Sequence, residues 1–199
     1  IIHFWEEIMH LRNQFKFEFF YTNKSQFSSE IEHELQLFDQ NWRTIIANPV
    51  GDIDNLLKKQ ELYVSKGLLL VYLEANKVVC HTLDSWDVED DFIDSEFIDL
   101  CLFRGKELHW QSRISRLDSV STPFLMSGLR FARNAKLIPS NGKLNYEGLN
   151  QWMSELEDLT DRLGQLQKLE IKAQKKATEK DQQEQEQESI SRKVPGTNS

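Results

Sequence analysis

The run from Gly67 to Leu83 (GLLLVYLEANKVVCHTL) is where the chain concentrates its apolar residues. Leu69, Tyr72, Leu73, Asn76, Val79, Cys80 and Leu83 fall at spacings of three and four, so a helix places them on one wide face. Leu68, Leu70 and Val71 add apolar surface around the first turn, as expected of a helix enclosed by neighbours. A bilayer span takes roughly 20 mostly apolar residues, and Glu74, Asn76 and Lys77 interrupt this run well before that. The run therefore predicts a buried central helix on which the rest of the chain packs.

Upstream, residues 1–21 set Phe4 or Trp5, Ile8, Leu11, Phe15 and Phe19 on one helical face. The alternation Phe15, Phe17, Phe19, Tyr21 also suits a short strand, but the longer period favours helix. Glu18 lies inside this aromatic cluster; it is expected on the solvent side or paired with a cation, because an unpaired buried charge costs several kcal/mol. Ser29 stands three residues before Glu32, the spacing of a capping box. It opens an amphipathic helix carrying Phe27, Ile31, Leu35, Phe38, Trp42 and Ile45, stopped by Asn48-Pro49-Val50-Gly51. A short helix around Leu56-Leu57, capped by Asp54, leads through Tyr63 to the central helix.

After Leu83 the acids Asp84, Asp87, Glu89, Asp90, Asp91, Asp94, Glu96 and Asp99 run without an intervening Lys or Arg. Phe92 stands where a calcium loop needs glycine, and the coordinating glutamate is missing, so the run reads as a solvated loop feeding a helix N-terminus. The next helix spans about Ser95 to Arg113 and is expected to bury Phe97, Cys101, Leu102, Leu108 and Trp110. Ser121-Thr122-Pro123 opens another, turning Phe124, Leu125, Gly128, Leu129 and Ala132 inward until Pro139-Ser140-Asn141-Gly142. From Tyr146 a last helix repeats Leu149, Trp152, Leu156, Leu159, Leu163 and Leu166, about two and a half heptads. Beyond Lys172 the Gln/Glu/Lys-rich sequence cannot bury enough apolar area to offset its ordering entropy. The fold class is thus all-α, an irregular bundle of about six to seven helices with a disordered tail. Residues 1–170 form the helical domain and 171–199 the charged, frayed tail.

Chemistry is sparse. A net charge of −8 over 199 residues argues against nucleic acid as a partner. Cys80 and Cys101 read as small core residues rather than a disulfide or part of a metal site. Positions five after His3, His10, His33, His81 and His109 hold Ile8, Phe15, Phe38, Trp86 and Ile114, so no His-x4-Asp is present. No nucleophile elbow, phosphate-cradling glycine loop or zinc spacing appears, and no cofactor or metal is implied. Cys80 and His81 are adjacent, but helical neighbours point about 100° apart and do not face each other. The basic residues Arg104, Lys106, Arg113, Arg116, Arg130, Arg133 and Lys136 have only Glu107 and Asp118 as nearby acids. Such a face suits phospholipid headgroups, a phosphorylated substrate, an acidic partner domain or plain solvent. Arg130, Arg133 and Lys136 are its candidate anion- or membrane-binding members.

Three stretches together resemble the C-terminal helical region of bacterial-type glycerol-3-phosphate acyltransferases and their dihydroxyacetone-phosphate relatives. They are Leu11 to Tyr21 with the Ser29–Trp42 helix; Leu73-Glu74-Ala75-Asn76-Lys77-Val78-Val79, which resembles a Leu-Glu-Ala-Tyr-x-Val-Val pattern; and Asp118 to Ser121 followed by Gly128 to Ile138. Asn76 departs from that pattern, and the resemblance covers roughly residues 10 to 140. It implies a catalytic domain upstream, where a His-x4-Asp histidine acts as general base on the substrate hydroxyl that attacks an acyl thioester. This chain would then be the C-terminal part of a glycerol-3-phosphate 1-O-acyltransferase, inactive by itself, in an enzyme that binds acyl thioester and glycerol 3-phosphate. The opening Ile1-Ile2-His3 lacks a methionine and fits a processed chain or a piece of a longer one. The implied location is the membrane surface, on the cytoplasmic face of the cell membrane. The rival expectation is a free-standing helical interaction module that binds a partner through the Leu149–Leu166 face.

Overall fold

Helix α4 (Tyr63–Asp84) is the axis of the molecule: α5 (Asp94–Trp110), α6 (Thr122–Asn134) and the 3-10 turn Leu117–Ser119 all pack against it. The computed structural model describes residues 1–47, 63–86, 92–138, 144–166 and 168. Before the axis come α1 (Ile2–Gln14), α2 (Lys24–Phe38) and α3 (Trp42–Ala47); after α6 comes α7, residues 146–166. No strand occurs among the described residues, so the all-α expectation holds there. The expected short helix at Leu56-Leu57, the stops at Asn48–Gly51 and Pro139–Gly142, the acids from Asp87 to Asp91 and the tail 171–199 lie outside them.

Val71, Leu73, Glu74, Ala75, Asn76, Val78, Val79, Cys80, Thr82 and Leu83 are buried, so α4 is covered all round rather than on one face. Only Leu68, near its start, departs from the expected enclosure by staying exposed. Phe97, Cys101 and Leu108 of α5 and Leu125, Leu129 and Ala132 of α6 complete this core. Each such Leu or Phe contributes about 1.5–3 kcal/mol by leaving water. Gly128 permits the close α4–α6 crossing, since a Cβ there would meet Asn76 Oδ1 at 2.7 Å and Val79 Cγ2 at 3.0 Å. Helix α7 closes one side: Trp152 stacks on Phe131 at 4.9 Å, and Cys80 Sγ donates to the Leu149 carbonyl at 3.6 Å.

Both α5 and α6 end in the same reverse turn. Arg113 N donates to Leu108 O and Ser112 N to His109 O; Leu137 N donates to Ala132 O and Lys136 N to Arg133 O. These are Schellman pairs, which place one residue in the left-handed region, here Ser112 and Lys136, each at φ 57°. The apolar residues that follow, Ile114 and Leu137, are buried and anchor the reversals.

Several expectations are corrected. Helix α1 stops at Gln14, and residues 15–18 turn; that turn brings both Phe15 and Phe19 onto Tyr72, with ring centroids at 6.5 and 5.4 Å. Helix α2 starts at Lys24, where Asn23 Oδ1 accepts from Gln26 N at 3.0 Å, and Ser29 lies inside the helix. Asparagine caps at least as well as serine, and the earlier start also lays Phe27 on Tyr21 at 5.3 Å. The expected single helix from Ser29 to Ile45 breaks at Asp39, which is extended and accepts from Asn41 N through its carboxylate at 2.7 Å. The break swings Trp42, 2% exposed, against Phe4 and Trp5. Helix α2, the cleanest amphipathic pattern in the sequence, buries no residue fully. Trp110, expected inside, is 79% exposed.

Candidate functional site

Helix α4 carries two polar side chains into the core, Glu74 and Asn76, and its surroundings are arranged about them. Glu74 is 3% exposed. Its Oε1 accepts from Ser115 N and Ser115 Oγ, both at 2.7 Å, and its Oε2 accepts from Arg116 N at 2.8 Å. The turn after α5 aims those donors: the Schellman reversal at Ser112 buries Ile114, so Ser115 and Arg116 arrive over α4 with their amides inward. A carboxylate is the side chain that can accept all three together. One buried acid thereby fastens residues 111–121 to the central helix.

Two residues along, Asn76 lies against Gly128 and is 1% exposed; its Oδ1 and Nδ2 have no hydrogen-bond partner among the described residues. Glu18 is half-buried beside the Phe15–Phe19 cluster, without a salt bridge among the described residues and with Oε2 unpartnered. That corrects the expectation of solvent exposure or a cation partner. Burial pushes its carboxyl above the usual range, against hydrogen bonds from Ser127 and the backbone of Phe17 and Glu18.

The three stretches singled out in the sequence therefore meet at α4. The first reaches it through Phe15 and Phe19 on Tyr72 and continues to Phe124, 5.0 Å from Tyr72. The second is α4 itself. The third supplies Gly128 and the 3-10 turn whose Ser119 is buried.

The basic residues do not converge. Arg133 pairs with Asp94 and lies over Phe92 at 5.5 Å from the ring centroid. Arg130 is exposed on α6, and Lys136 is exposed at its left-handed position beyond the helix end. Arg104 is bound to Glu107 at 3.0 Å and Arg116 to Asp118 at 2.7 Å. The Cys80–His81 neighbours face apart, as the helical geometry dictates. Burial pushes the Cys80 thiol up to about 12 and the Cys101 thiol likewise, which leaves neither as a thiolate near neutral pH. His81 Nε2 accepts from the Arg113 guanidinium at 3.0 Å; burial first, then Arg113, Lys77 and Arg104, lower its pKa to about 4. It is a neutral imidazole.

Sequence reasoning missed one polar group. His10, Asn13, Gln14, Phe131, Trp152 and Glu155 line a cleft of about 250 Å³ between α1 and α7. Trp152 Nε1 donates to Gln14 Oε1 at 3.3 Å, Gln14 Nε2 to Glu155 Oε2 at 2.8 Å, and His10 stands 3.6 Å from that carboxylate. The only sequence signal is the four-residue spacing of His10 to Gln14 and of Gln151 to Glu155; nothing in it says that those helices face each other. Gln14, Gln151, Trp152 and Glu155 are hydrogen-bonded to one another, Asn13 accepts from Lys16, and no hydroxyl, thiol or amine side chain among the described residues lines the cleft. No group of three or more His, Cys, Asp or Glu among the described residues could hold a metal ion.

Fold and core together define an all-α region whose internal polar residues hold its own loops and helix crossings. The family model described as "Glycerol-3-phosphate acyltransferase C-terminal region" matches residues 2–141, and the chain belongs to that family. Relatives include the proteins described as "Putative acyltransferase plsB1" from Mycobacterium bovis and Mycobacterium tuberculosis. Each is 29% identical over 134 residues, covering 67% of this chain and 21% of the relative. The chain thus spans about a fifth of the length of those relatives. No solved structure matches it.

Proposed function

We propose that this chain is the C-terminal part of a glycerol-3-phosphate 1-O-acyltransferase, transferring acyl groups from a thioester to glycerol 3-phosphate, and that it supports a catalytic domain it does not itself contain. The observation that carries the reading is the convergence of all three family-resembling stretches on α4, where Glu74 fastens the 111–121 segment. That is scaffold work. The sequence has no His-x4-Asp, and its histidines lack the arrangement of a base acting on a hydroxyl. Residues 1–170 serve as the helical domain and 171–199 as a charged tail. The parent works at a membrane surface, on the cytoplasmic face of the cell membrane. No described helix is long and apolar enough to cross a membrane. Of the candidate anion-binding trio, Arg130 and Lys136 are exposed and in no salt bridge among the described residues, while Arg133 is engaged by Asp94.

The rival reading, a free-standing module binding through the Leu149–Leu166 face, is disfavoured because Leu149, Trp152, Leu156 and Leu159 are buried within this chain. The test is an acyl-transfer assay with an acyl thioester and labelled glycerol 3-phosphate. The chain alone is expected to form no acyl product, and the full-length parent to form it. Transfer by the isolated chain, or an inactive parent, would overturn the proposal.

A further inference from the structure

Helix α5 turns an apolar stripe away from the bundle. Leu100, Phe103 and Trp110 lie at spacings of three and seven, on one side of the helix, and Phe103 and Trp110 are 60% and 79% exposed. Leu117, just past the helix, is exposed as well. Two large aromatics this open are unusual for a surface with nothing to cover it.

The charges around the stripe divide along the helix. Its N-terminal end carries Asp94, Glu96 and Asp99. Its C-terminal half is bordered by Arg104, Lys106, Arg113 and Arg116, with Lys77 of α4 beyond. The acids on that side are Glu107, Asp118 and Asp84, and the first two are already bound to Arg104 and Arg116. Lys106 and Arg113 are left exposed and in no salt bridge among the described residues. His81 reports the same field, since Arg113, Lys77 and Arg104 all push its pKa down. Exposed Trp and Phe beside unpaired Lys and Arg match a bilayer boundary, where rings enter the headgroup–acyl region and cations meet lipid phosphates.

We infer that the outward face of α5, with Phe103 and Trp110 as wedges and Lys106 and Arg113 as headgroup contacts, docks on an anionic lipid surface. The inference deepens the acyltransferase reading and rests on it for the membrane's relevance. It adds a contact on α5 to the one proposed at the Arg130–Lys136 end of α6. The acidic end of the helix would be repelled, so the C-terminal half enters first.

The test is flotation of the full chain with vesicles of equal parts phosphatidylcholine and phosphatidylglycerol, and with phosphatidylcholine alone. Binding is expected on the anionic vesicles, falling as salt rises. Phe103→Ser with Trp110→Ser should weaken it by about tenfold or more. Lys106→Glu with Arg113→Glu should do the same on anionic vesicles. Leu37→Ser, at an exposed apolar position on α2, should change nothing. All altered side chains are exposed, and only Arg113 gives up a side-chain bond, to His81; melting curves should stay close to wild type, and should one variant misfold, wild-type Trp110 still decides. Of the five tryptophans, Trp42 and Trp152 are buried and Trp5 and Trp86 half-buried. Iodide quenching is therefore dominated by Trp110 and should drop on adding anionic vesicles. Unchanged flotation of the double variants, or unchanged quenching, overturns the inference. So does a wild-type dimer that the Phe103/Trp110 variant abolishes while vesicles bind neither, because the stripe would then be a protein contact. Acyl transfer by the parent in detergent is scored separately, so loss of the docking surface with catalysis intact refutes only this inference.

Discussion

Replacing Glu74 by glutamine keeps the side chain's shape and removes the charge that fastens residues 111–121 to α4. The amide oxygen can still accept from Ser115 N and Ser115 Oγ, now as a neutral acceptor and roughly half as strongly. The amide nitrogen, placed where Oε2 was, confronts the Arg116 N–H that had donated to it at 2.8 Å. Two donors then face each other in a site 3% exposed, and one bond is lost outright. Hydrogen bonds to a charged group contribute about 1.5–3 kcal/mol each, so one lost and two halved amount to about 3 kcal/mol at the low end of that range. At this chain length each kcal/mol lowers the melting temperature by about 2–4 °C, which places the variant about 6–12 °C below wild type. Circular dichroism melts read this directly, and hydrogen exchange at Ser115 and Arg116 should accelerate more than at Leu73. Glu74→Ala leaves all three donors unmet and should cost about 3–5 kcal/mol. A glutamine variant melting within about 2 °C of wild type would refute the claim that charge, rather than side-chain shape, holds the segment.

Gly128→Ala places a methyl 2.7 Å from Asn76 Oδ1 and should destabilise by about 1–3 kcal/mol. Adding Asn76→Ala removes the obstructing amide, so the double variant should recover most of that loss in urea unfolding. His81 gives a pH signature. Its pKa falls from 6.5 unfolded to about 4 folded, so its neutral form is the one the fold accommodates. The folded state then binds fewer protons between those values, and stability is full above pH 6.5 and falls as pH drops toward 4. His81→Gln should flatten that part of the melting-temperature profile against wild type.

Helix positions were legible wherever apolar spacing was backed by burial on the same element. The Gly67–Leu83 run and the Leu149–Leu159 repeat appear as expected, because each of those faces has a partner to cover it. The helix after Ser121 starts with Thr122-Pro123 as expected, but Ser121 makes no side-chain cap bond. The α2 pattern misled for the opposite reason: spacing says which residues share a face and nothing about whether a neighbour arrives. Trp110 failed similarly, since a large aromatic on an apolar-periodic helix is read as core by default. Boundaries were lost to local chemistry. Asn23 outcompeted Ser29 as a cap, and the Asp39 turn cut a helix that periodicity would have continued. Of the polar core, Glu74 sat in a quoted motif, but its partners lie forty residues away, and no local rule connects Ser115 to it.

Glu74 and Gly128 show what the family resemblance reports physically. Both lie in the stretches that carry it, and both are fixed by backbone geometry: one gathers three donors of a returning loop, the other admits a helix crossing too close for a side chain. Neither lines the cleft beside α7, where Gln14, Trp152 and Glu155 are hydrogen-bonded to one another. Asn76, like Glu18 Oε2 and Trp42 Nε1, has no hydrogen-bond partner among the described residues, and its amide lies where α4 and α6 cross closely at Gly128. A buried unsatisfied amide costs about 1–3 kcal/mol, so this crossing is where the scaffold should first loosen. Loosening there would shift α6 against α4 and spare the Glu74 fastening, which joins α4 to the segment before α6 rather than to α6 itself. In urea, amide exchange along α6 should therefore rise before that at Ser115 and Arg116. The reverse order would mean that the Asn76–Gly128 crossing is not the weaker of the two joints.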